Sequence, residues 1–421
     1  AETWSAQQTA ERQRTFAQID ALLGARPADV RRILQSLEPD RDVAVPRLKE
    51  LIDDVPSDRR WRLNLGLLPT DPAQADELSS ALLTADVEEL LVIQDALGPQ
   101  RIDAAAFREV LNQTRNGTRQ RFNAACVLAN LQAEDSADQW SSHATFISEA
   151  LIGRLLQSPS RYPTLLQTLR PVGRFLLEPL AVIFRDDSKP ESQRYATTLV
   201  AEYAAQDPQL LSELIQDSNE EQFELLCSRL EQLGKRAVRS SETLLQQSPV
   251  ENEELDDKNA AALRRSKVAA ALLRLGQAAT VLPLLENSRD PTCRTYLVDG
   301  IARHDVQASS VWELIQADVD VSARRALLVT LGTYDERQLP LERRLSLVPS
   351  LVSLYRDDPD PGIHGAAEWV LRQWDEADRL REIDSLAAAR RPEPDRGWYV
   401  NADDQTMRLV PDGSSARVIR R

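Results

Sequence analysis

Apolar side chains recur at helical spacing along almost the whole chain, and this periodicity restricts the possible folds more than any other feature. Val30, Ile33, Leu34 and Leu37 follow the i, i+3, i+4, i+7 spacing that places side chains on one face of a helix. About twenty segments of this kind succeed one another, and strand-like alternation appears from about Trp398 onward. The sequence therefore predicts an all-α protein with a short β-type C-terminal tail.

The breaks between the helical segments are short and carry residues that begin and end helices. Aspartate directly before proline predicts a helix start, because the carboxylate accepts free backbone N–H groups and proline lacks a donor that would have no partner there. Such pairs begin at Asp71, Asp207 and Asp290. Glycine after an apolar stripe predicts a helix end. These glycines are Gly98, Gly234, Gly276 and Gly332. Short connections between amphipathic helices predict antiparallel hairpins.

One five-residue frame occurs three times, at Asp290–Arg294, Asp320–Arg324 and Asp360–His364. Each copy places an acidic residue four positions before a basic or imidazole side chain, and the copies are about 30 and 40 residues apart. These intervals suit stacked helical repeats, in which each hairpin covers the apolar face of the next. We therefore predict a HEAT/armadillo-like α-solenoid of stacked antiparallel helix hairpins. The Asp and Arg side chains are interpreted as a ladder between neighbouring repeats, with a ligand-facing role of the arginines as the alternative.

The charge of the chain restricts its partners. Its 421 residues carry a formal net charge of −15, with a pI near 4.9. Nucleic-acid phosphates and anionic membranes require a cationic face, so neither is expected as the main partner. The same argument disfavours a HEAT-like nucleic-acid enzyme of the DNA-glycosylase type. No apolar run reaches the roughly 20 residues of a membrane-spanning helix. We expect a protein partner, or flanking domains of the same polypeptide, and no membrane contact by this segment.

The sequence contains none of the short motifs that mark common catalytic or cofactor sites. GxGxxG, GxxxxGK[ST], GxSxG and HExxH are all missing. The histidines are scattered, at His143, His304 and His364. The cysteines lie within apolar helical patterns and are interpreted as buried core residues, at Cys126, Cys227 and Cys293. We therefore predict no catalytic, cofactor-binding or metal-binding residues, no cofactor, and no enzymatic activity in this chain.

Changes in composition suggest the domain boundaries. Residues 1–390 form the predicted solenoid, residues 391–397 have the composition of a linker, and residues 398–421 form the β-like tail. Within the helical region, residues 249–258 are strongly acidic and are interpreted as a solvated loop or cap. The tail begins with the strand-forming residues Trp398, Tyr399 and Val400, and a turn-like Asn-Ala-Asp-Asp stretch follows.

Two stretches, Leu351–Trp374 and Trp398–Met407, carry a resemblance to a known family. They resemble the helical region of large bacterial proteins that join a serine/threonine protein kinase, a membrane segment, HEAT-like repeats and a formylglycine-generating-enzyme (sulfatase-modifying factor) domain. Weaker likenesses begin at Trp61, Phe184 and Ala270. The resemblance implies that the kinase precedes this chain and that the formylglycine-generating domain follows it. It also implies a bacterial origin, and it leaves the side of the membrane open, with an extracytoplasmic position as one alternative.

Two functions follow as alternatives. The first is a non-catalytic helical-repeat scaffold that positions partner domains and binds protein. The second is a fragment of a multidomain formylglycine-generating-enzyme or serine/threonine-kinase polypeptide with its catalytic domains outside the chain. Since Met407 is the sole methionine, we expect a processed protein or a segment of a longer one. The tail is expected to be the entrance strands of a following domain, or else a cap on the last repeat.

Overall fold

The computed structural model shows a predominantly α-helical protein. The described residues contain a single short β-hairpin in addition to helices, so the predicted all-α class with a β-type tail is confirmed. Two compact units are present, Ala1–Tyr203 and Ala204–Arg421. The helical region 1–390 predicted from the sequence spans both units. The structure describes residues 2–132, 137–247, 255–387, 397–401 and 406–409.

The described part of the first unit contains twelve α-helices, joined by short turns and by four 3-10 helices. Helices adjacent in sequence pack together, such as α4 with α5, α7 with α8 and α11 with α12, and α6 also packs on α8 two positions further on. The α-helices are α1 (Glu2–Gly24), α2 (Pro27–Leu37), α3 (Arg41–Leu51), α4 (Ser57–Leu67), α5 (Gln74–Leu82), α6 (Val87–Leu97), α7 (Ala104–Asn112), α8 (Thr118–Leu131), α9 (Ala137–Gln157), α10 (Tyr162–Leu169), α11 (Gly173–Phe184) and α12 (Pro190–Tyr203). The 3-10 helices are Glu38–Asp40, Pro99–Arg101, Pro159–Arg161 and Arg170–Val172.

In the second unit too, helices two positions apart in the sequence pack on each other. Helices α16, α18, α20 and α22 contact one another in series, while α19 packs on α20 and α21 on α22. The described α-helices are α13 (Pro208–Asp217), α14 (Glu220–Leu233), α15 (Lys235–Gln246), α16 (Leu255–Arg274), α17 (Ala278–Leu285), α18 (Thr292–Arg303), α19 (Ala308–Gln316), α20 (Val321–Leu331), α21 (Leu341–Asp357), α22 (Pro361–Gln373) and α23 (Ala377–Ala387). Strand β1 (Trp398–Val400) pairs antiparallel with β2 (Thr406–Arg408), with Trp398 opposite Arg408.

Apolar residues that follow the repeated frame occupy equivalent positions in the core. Leu297, Leu327 and Ala367 lie seven residues after the frame aspartates and are completely buried. The next positions in register, Ile301, Leu331 and Leu371, are also completely buried. Burial of one such leucine or isoleucine contributes about 1.5–3 kcal/mol. The register predicted for the three copies is therefore the register of the core.

The fifth residue of each frame makes the same hydrogen bond, which we call the hairpin tie. Its side chain contacts the backbone carbonyl nine residues earlier, near the end of the preceding helix. The ties join Arg294 Nε to the Leu285 carbonyl at 2.7 Å, Arg324 Nε to the Ile315 carbonyl at 2.9 Å, and His364 Nδ1 to the Tyr355 carbonyl at 2.6 Å. These carbonyls lie in the last turn of a helix and have no intrahelical partner, so each tie satisfies one of them.

The predicted contacts between neighbouring hairpins are present, but the closest ion pair uses the arginine after the frame position. Arg324 approaches Asp358 in the next hairpin at a distance of 3.6 Å, but its hydrogen bond stays within its own hairpin. The following residue, Arg325, donates from Nε to Asp360 Oδ1 at 2.7 Å and also pairs with the second carboxylate oxygen. The sequence thus indicated the acidic partner, and packing selected the arginine one position later.

The structure distinguishes two kinds of glycine among the predicted helix ends. Gly98, Gly234 and Gly276 have φ values of +67°, +53° and +77°, which L-residues rarely adopt. Gly332 instead has φ of −74°, and a Cβ atom there would lie 2.1 Å from Cζ3 of Trp369. Glycine is required at that position by close packing and not by a left-handed backbone.

The aspartates of the three Asp-Pro pairs lie at different distances from the first residue of the helix that follows. Asp207 accepts a hydrogen bond from the Leu210 N–H at 3.1 Å and is the N-cap of α13, as predicted. Asp71 and Asp290 instead hold the turns before their helices, which begin at Gln74 and Thr292.

Replacing Arg324 with alanine tests the structural role of the hairpin tie. We expect the free energy of unfolding to fall by about 1 kcal/mol, because one half-buried hydrogen bond to a backbone carbonyl is lost. Chemical denaturation measures the change, and Arg337→Ala, which removes an exposed arginine from the same unit, is the control. Unchanged unfolding together with lost partner binding would assign this arginine to recognition.

Candidate functional site

A groove open to solvent lies in the first unit, between α9 and the N-terminal ends of α6 and α8. Its volume is about 560 Å³. One wall is a stripe of α9, formed by Phe146, Glu149, Ala150, Gly153 and Gln157. These residues follow the i, i+3, i+4, i+7, i+11 spacing and therefore share one helix face. The groove is also lined by Asp86, Thr118, Arg119, Arg154, Ser158 and Arg161.

A carboxylate at the edge of the groove is held by two arginines. Arg119 donates to Asp86 Oδ1 at 3.0 Å. Arg161 donates to both oxygens of the same carboxylate, at 3.2 Å and 2.8 Å. Asp86 precedes α6, and its backbone N–H donates to the Glu89 side chain at 3.2 Å. The groove thus contains an internal example of a carboxylate bound in the two-point geometry that a guanidinium favours.

Arg154 is the third arginine of the groove and differs from the other two in its partners. Its Nη2 donates to Asn123 Oδ1 at 3.0 Å, and its guanidinium lies 4.6 Å from the centre of the Phe122 ring. Within the part of the chain that the structure describes, no carboxylate lies at ion-pair distance from Arg154. Burial lowers the pKa of Arg154, and the positive charges of Arg119 and Arg161 lower it further, against opposing contributions from Cys126 and Asp86.

The residue that positions Arg154 is itself fixed in place. Asn123 is 1% exposed, and its amide donates to the Leu82 carbonyl at 2.9 Å and to the Ala85 carbonyl at 2.8 Å. With both donors used, its Oδ1 atom accepts from Arg154. The guanidinium is therefore held by a buried side chain whose orientation is determined by the backbone between α5 and α6.

A fourth arginine covers the aromatic residue at one end of the groove. The guanidinium of Arg121 lies 3.8 Å from the centre of the Phe146 ring, and its Nε donates to the Leu111 carbonyl at 3.0 Å. A cation over an aromatic face contributes about 0.5–1 kcal/mol at an exposed site. Phe146 thus adds an apolar ring to the lining of the groove, with Arg121 over one of its faces.

The histidines singled out in the sequence do not line this groove. His143 Nε2 lies 2.8 Å from Asn112 Oδ1, and burial lowers its pKa. His304 is 8% exposed and stacks on Phe223 with ring centres 4.0 Å apart. Burial lowers the pKa of His304 to about 4, and Lys267, Arg303 and Arg274 act in the same direction.

His364 lies between two aromatic rings where the tail meets α21 and α22. Ring centres are 4.3 Å from Tyr355 and 3.5 Å from Trp398, and Nε2 lies 3.0 Å from Thr406 Oγ1. Trp398 is 3% exposed, and its Nε1 donates to the Asp358 carbonyl at 2.9 Å. The described part of the tail therefore packs on the last helical hairpins, which is the arrangement expected of a cap.

Two cysteines have the predicted environment and one does not. Cys126 and Cys227 are buried, and burial raises the pKa of each thiol to about 12. Cys293 is partly exposed, contrary to the prediction that all three are core residues. Its position two residues into α18 lies near the surface turn that Asp290 stabilises.

Several regions singled out in the sequence lie outside the described residues or carry no ligand group. The acidic stretch 249–258 is described from residue 255 onward, the linker 391–397 at residue 397 alone, and the tail at residues 398–401 and 406–409. Among the described residues, no cluster of three or more His, Cys, Asp or Glu side chains is arranged to hold a metal ion. None of the helices formed by these described residues is both long and apolar enough to cross a membrane.

The arginine-lined groove is not predicted by any feature singled out in the sequence. Asp86 and Arg161 are 75 positions apart, and no short motif joins them. One local signal is visible in retrospect, namely a glycine inside the strongly helical segment Ala137–Gln157. Comparison with known proteins adds no assignment, since no family model matches the chain and no curated protein matches it.

Proposed function

We propose that this chain is a non-catalytic helical-repeat scaffold, an α-solenoid of stacked antiparallel hairpins that positions partner domains and binds protein. The observation that carries the proposal is the hairpin tie, which recurs with the same nine-residue separation at Arg294, Arg324 and His364. A contact that recurs in successive hairpins is typical of repeat proteins, in which one supersecondary unit is stacked on the next.

The series of contacts in the second unit supports the same proposal. Each of α18, α20 and α22 packs on the helix two positions before it. In such an array a single hairpin does not bury its own apolar face, and stability is shared between neighbours. Extended arrays expose large surfaces relative to their core, which suits a role in binding and spacing other proteins.

Affinity capture with the whole chain as bait tests the scaffold function. We expect a partner protein to be retained and to bind the purified chain again in a one-to-one titration. The purified chain should also transfer no phosphate from ATP to a generic protein substrate. Failure of every captured protein to rebind, or transfer of phosphate by the chain itself, would contradict the proposal.

A second candidate function is favoured by the C-terminal hairpin. Strand β1 begins at Trp398, within the stretch that resembles the entrance to a formylglycine-generating domain, and it pairs with β2. On this alternative the chain is part of a longer polypeptide with kinase or formylglycine-generating domains. Sequencing of the gene on both sides of this segment tests it, and flanking frames without either domain would contradict it.

A further inference from the structure

We propose that the arginine-lined groove of the first unit binds an acidic peptide segment of a partner protein, with Arg154 as the main carboxylate-binding residue. The inference rests on the proposed function in that it assigns a partner chemistry to the scaffold. It concerns a single unit, Ala1–Tyr203, and depends on no contact with the second.

Charge provides the first argument. The chain as a whole is strongly acidic, with a net charge of −15. The groove nevertheless brings together Arg119, Arg154 and Arg161 against two carboxylates, Asp86 and Glu149. Asp86 occupies two of the arginines and leaves Arg154 with an amide oxygen as its hydrogen-bond partner. A carboxylate from another chain would add the ion pair that Arg154 lacks among the described residues.

The geometry around Arg154 provides the second argument. The Arg154 guanidinium donates a hydrogen bond to the buried Asn123 side chain and lies over the Phe122 ring. A guanidinium that is already oriented loses little conformational freedom when a ligand binds, so its hydrogen bonds contribute more to affinity. The Arg154 side chain is therefore already oriented for binding in the absence of a ligand.

Gly153 provides the third and independent argument. It lies inside α9, where glycine is less favourable than alanine by about 1 kcal/mol. No packing requirement explains it, because a Cβ atom at this position would contact nothing within 4 Å. The missing side chain leaves room along the wall of the groove, next to Arg154. That room would let a peptide backbone approach the helix closely.

The shape of the groove favours a peptide over a single small anion. A volume of about 560 Å³ open to solvent is far larger than one carboxylate or phosphate needs. The half-buried ring of Phe146 lines the same groove and offers contact to an apolar side chain. An extended segment with several Glu or Asp residues and an interspersed apolar residue would use both features.

Fluorescence anisotropy with the whole chain tests the proposal. The probe is a labelled peptide of about ten residues in which Glu alternates with Leu or Ser, and the control peptide has Gln in place of every Glu. We expect the Gln peptide to bind at least about 10-fold more weakly, because a hydrogen bond between charged groups is about twice as strong as one between neutral groups. Equal binding of the two peptides would overturn the proposal.

A pair of matched variants locates the site. Arg154→Met keeps an unbranched side chain over Phe122 and removes the charge, and we expect it to weaken binding of the Glu peptide by about 10-fold or more. Arg174→Met is the control, since Arg174 also lies 4.6 Å from an aromatic ring centre, that of Phe175, but outside the groove. Equal losses of binding in the two variants would contradict a specific site.

Gly153→Leu separates binding from folding. Leucine favours a helix, so the melting temperature should stay the same or rise, while the new side chain enters the groove and weakens peptide binding by about 10-fold. Retained peptide binding in this variant would overturn the proposal. The proposal would also be overturned if the wild-type chain bound inorganic phosphate saturably but did not bind the Glu peptide. If a captured partner still binds Gly153→Leu as tightly as the wild type, the groove assignment fails and the scaffold function stands.

Discussion

Replacing Trp398 with alanine should destabilise the last helical hairpin by about 3 kcal/mol, at the low end of the range for a buried tryptophan. The side chain is 3% exposed, stacks on His364 at 3.5 Å and donates its indole N–H to the Asp358 carbonyl. Its loss would expose the imidazole and leave that carbonyl without this donor. Hydrogen exchange of the α22 amides, together with thermal unfolding, measures the effect.

Tyr399→Ala is the matched control for this prediction. Tyr399 follows Trp398 on β1, so its side chain points to the opposite face of the strand, and it is only partly buried. We expect a loss below about 1 kcal/mol for this variant. Deletion of residues 397–421 should reproduce the effect of Trp398→Ala. Unchanged protection of α22 after the deletion would instead favour entrance strands of a following domain, which was the alternative preferred from the sequence.

Acidification should destabilise the second unit through His304. The pKa of His304 is lowered to about 4 by burial and by nearby positive charges, against about 6.5 in an unfolded chain. The unfolded state therefore binds the proton more readily, and the stability present above pH 6.5 is lost as pH falls from 6.5 towards 4. Linkage gives a loss of about 2 kcal/mol by pH 5. Urea unfolding at pH 7 and pH 5 measures it.

His304→Gln provides the test of assignment. Glutamine does not titrate in this range, so we expect the variant to lose about 2 kcal/mol less than the wild type between pH 7 and pH 5. Its stability at pH 7 should be somewhat lower, because the stacking contact with Phe223 is removed. His143→Gln is the comparison, since His143 is more exposed and should change the pH dependence less. Equal pH dependence in wild type and His304→Gln would contradict the prediction.

Local sequence signals predicted the helices and the register of the repeated frame. The three copies predicted which positions would be buried, and Leu297, Leu327 and Leu331 are completely buried. Such signals succeed because helix formation and capping depend on residues within a few positions of one another. The spacing of apolar residues also determines which face of each helix turns toward the core.

Tertiary packing decided the features that connect distant positions. The frame indicated Asp360 as a partner in a ladder, but Arg325 and not Arg324 makes the close ion pair with it. Similarly, Gly332 follows an apolar stripe like the other three glycines, yet its small size is required by Trp369 in the next hairpin. A difference of one position along a helix rotates a side chain by about 100°, so the partner depends on how two helices pack.

The candidate groove shows most clearly the difference between what the sequence determines and what depends on packing. From the sequence alone, Asp86, Arg119, Arg154 and Arg161 are ordinary charged residues at helix ends or on helix surfaces. The packing of α6, α8 and α9 brings them together, and the buried Asn123 orients one of them. The sequence by itself determined that the chain is helical and acidic, since these properties are local or additive. The tertiary structure alone decided where positive charge accumulates, because that depends on distances between residues far apart in the chain.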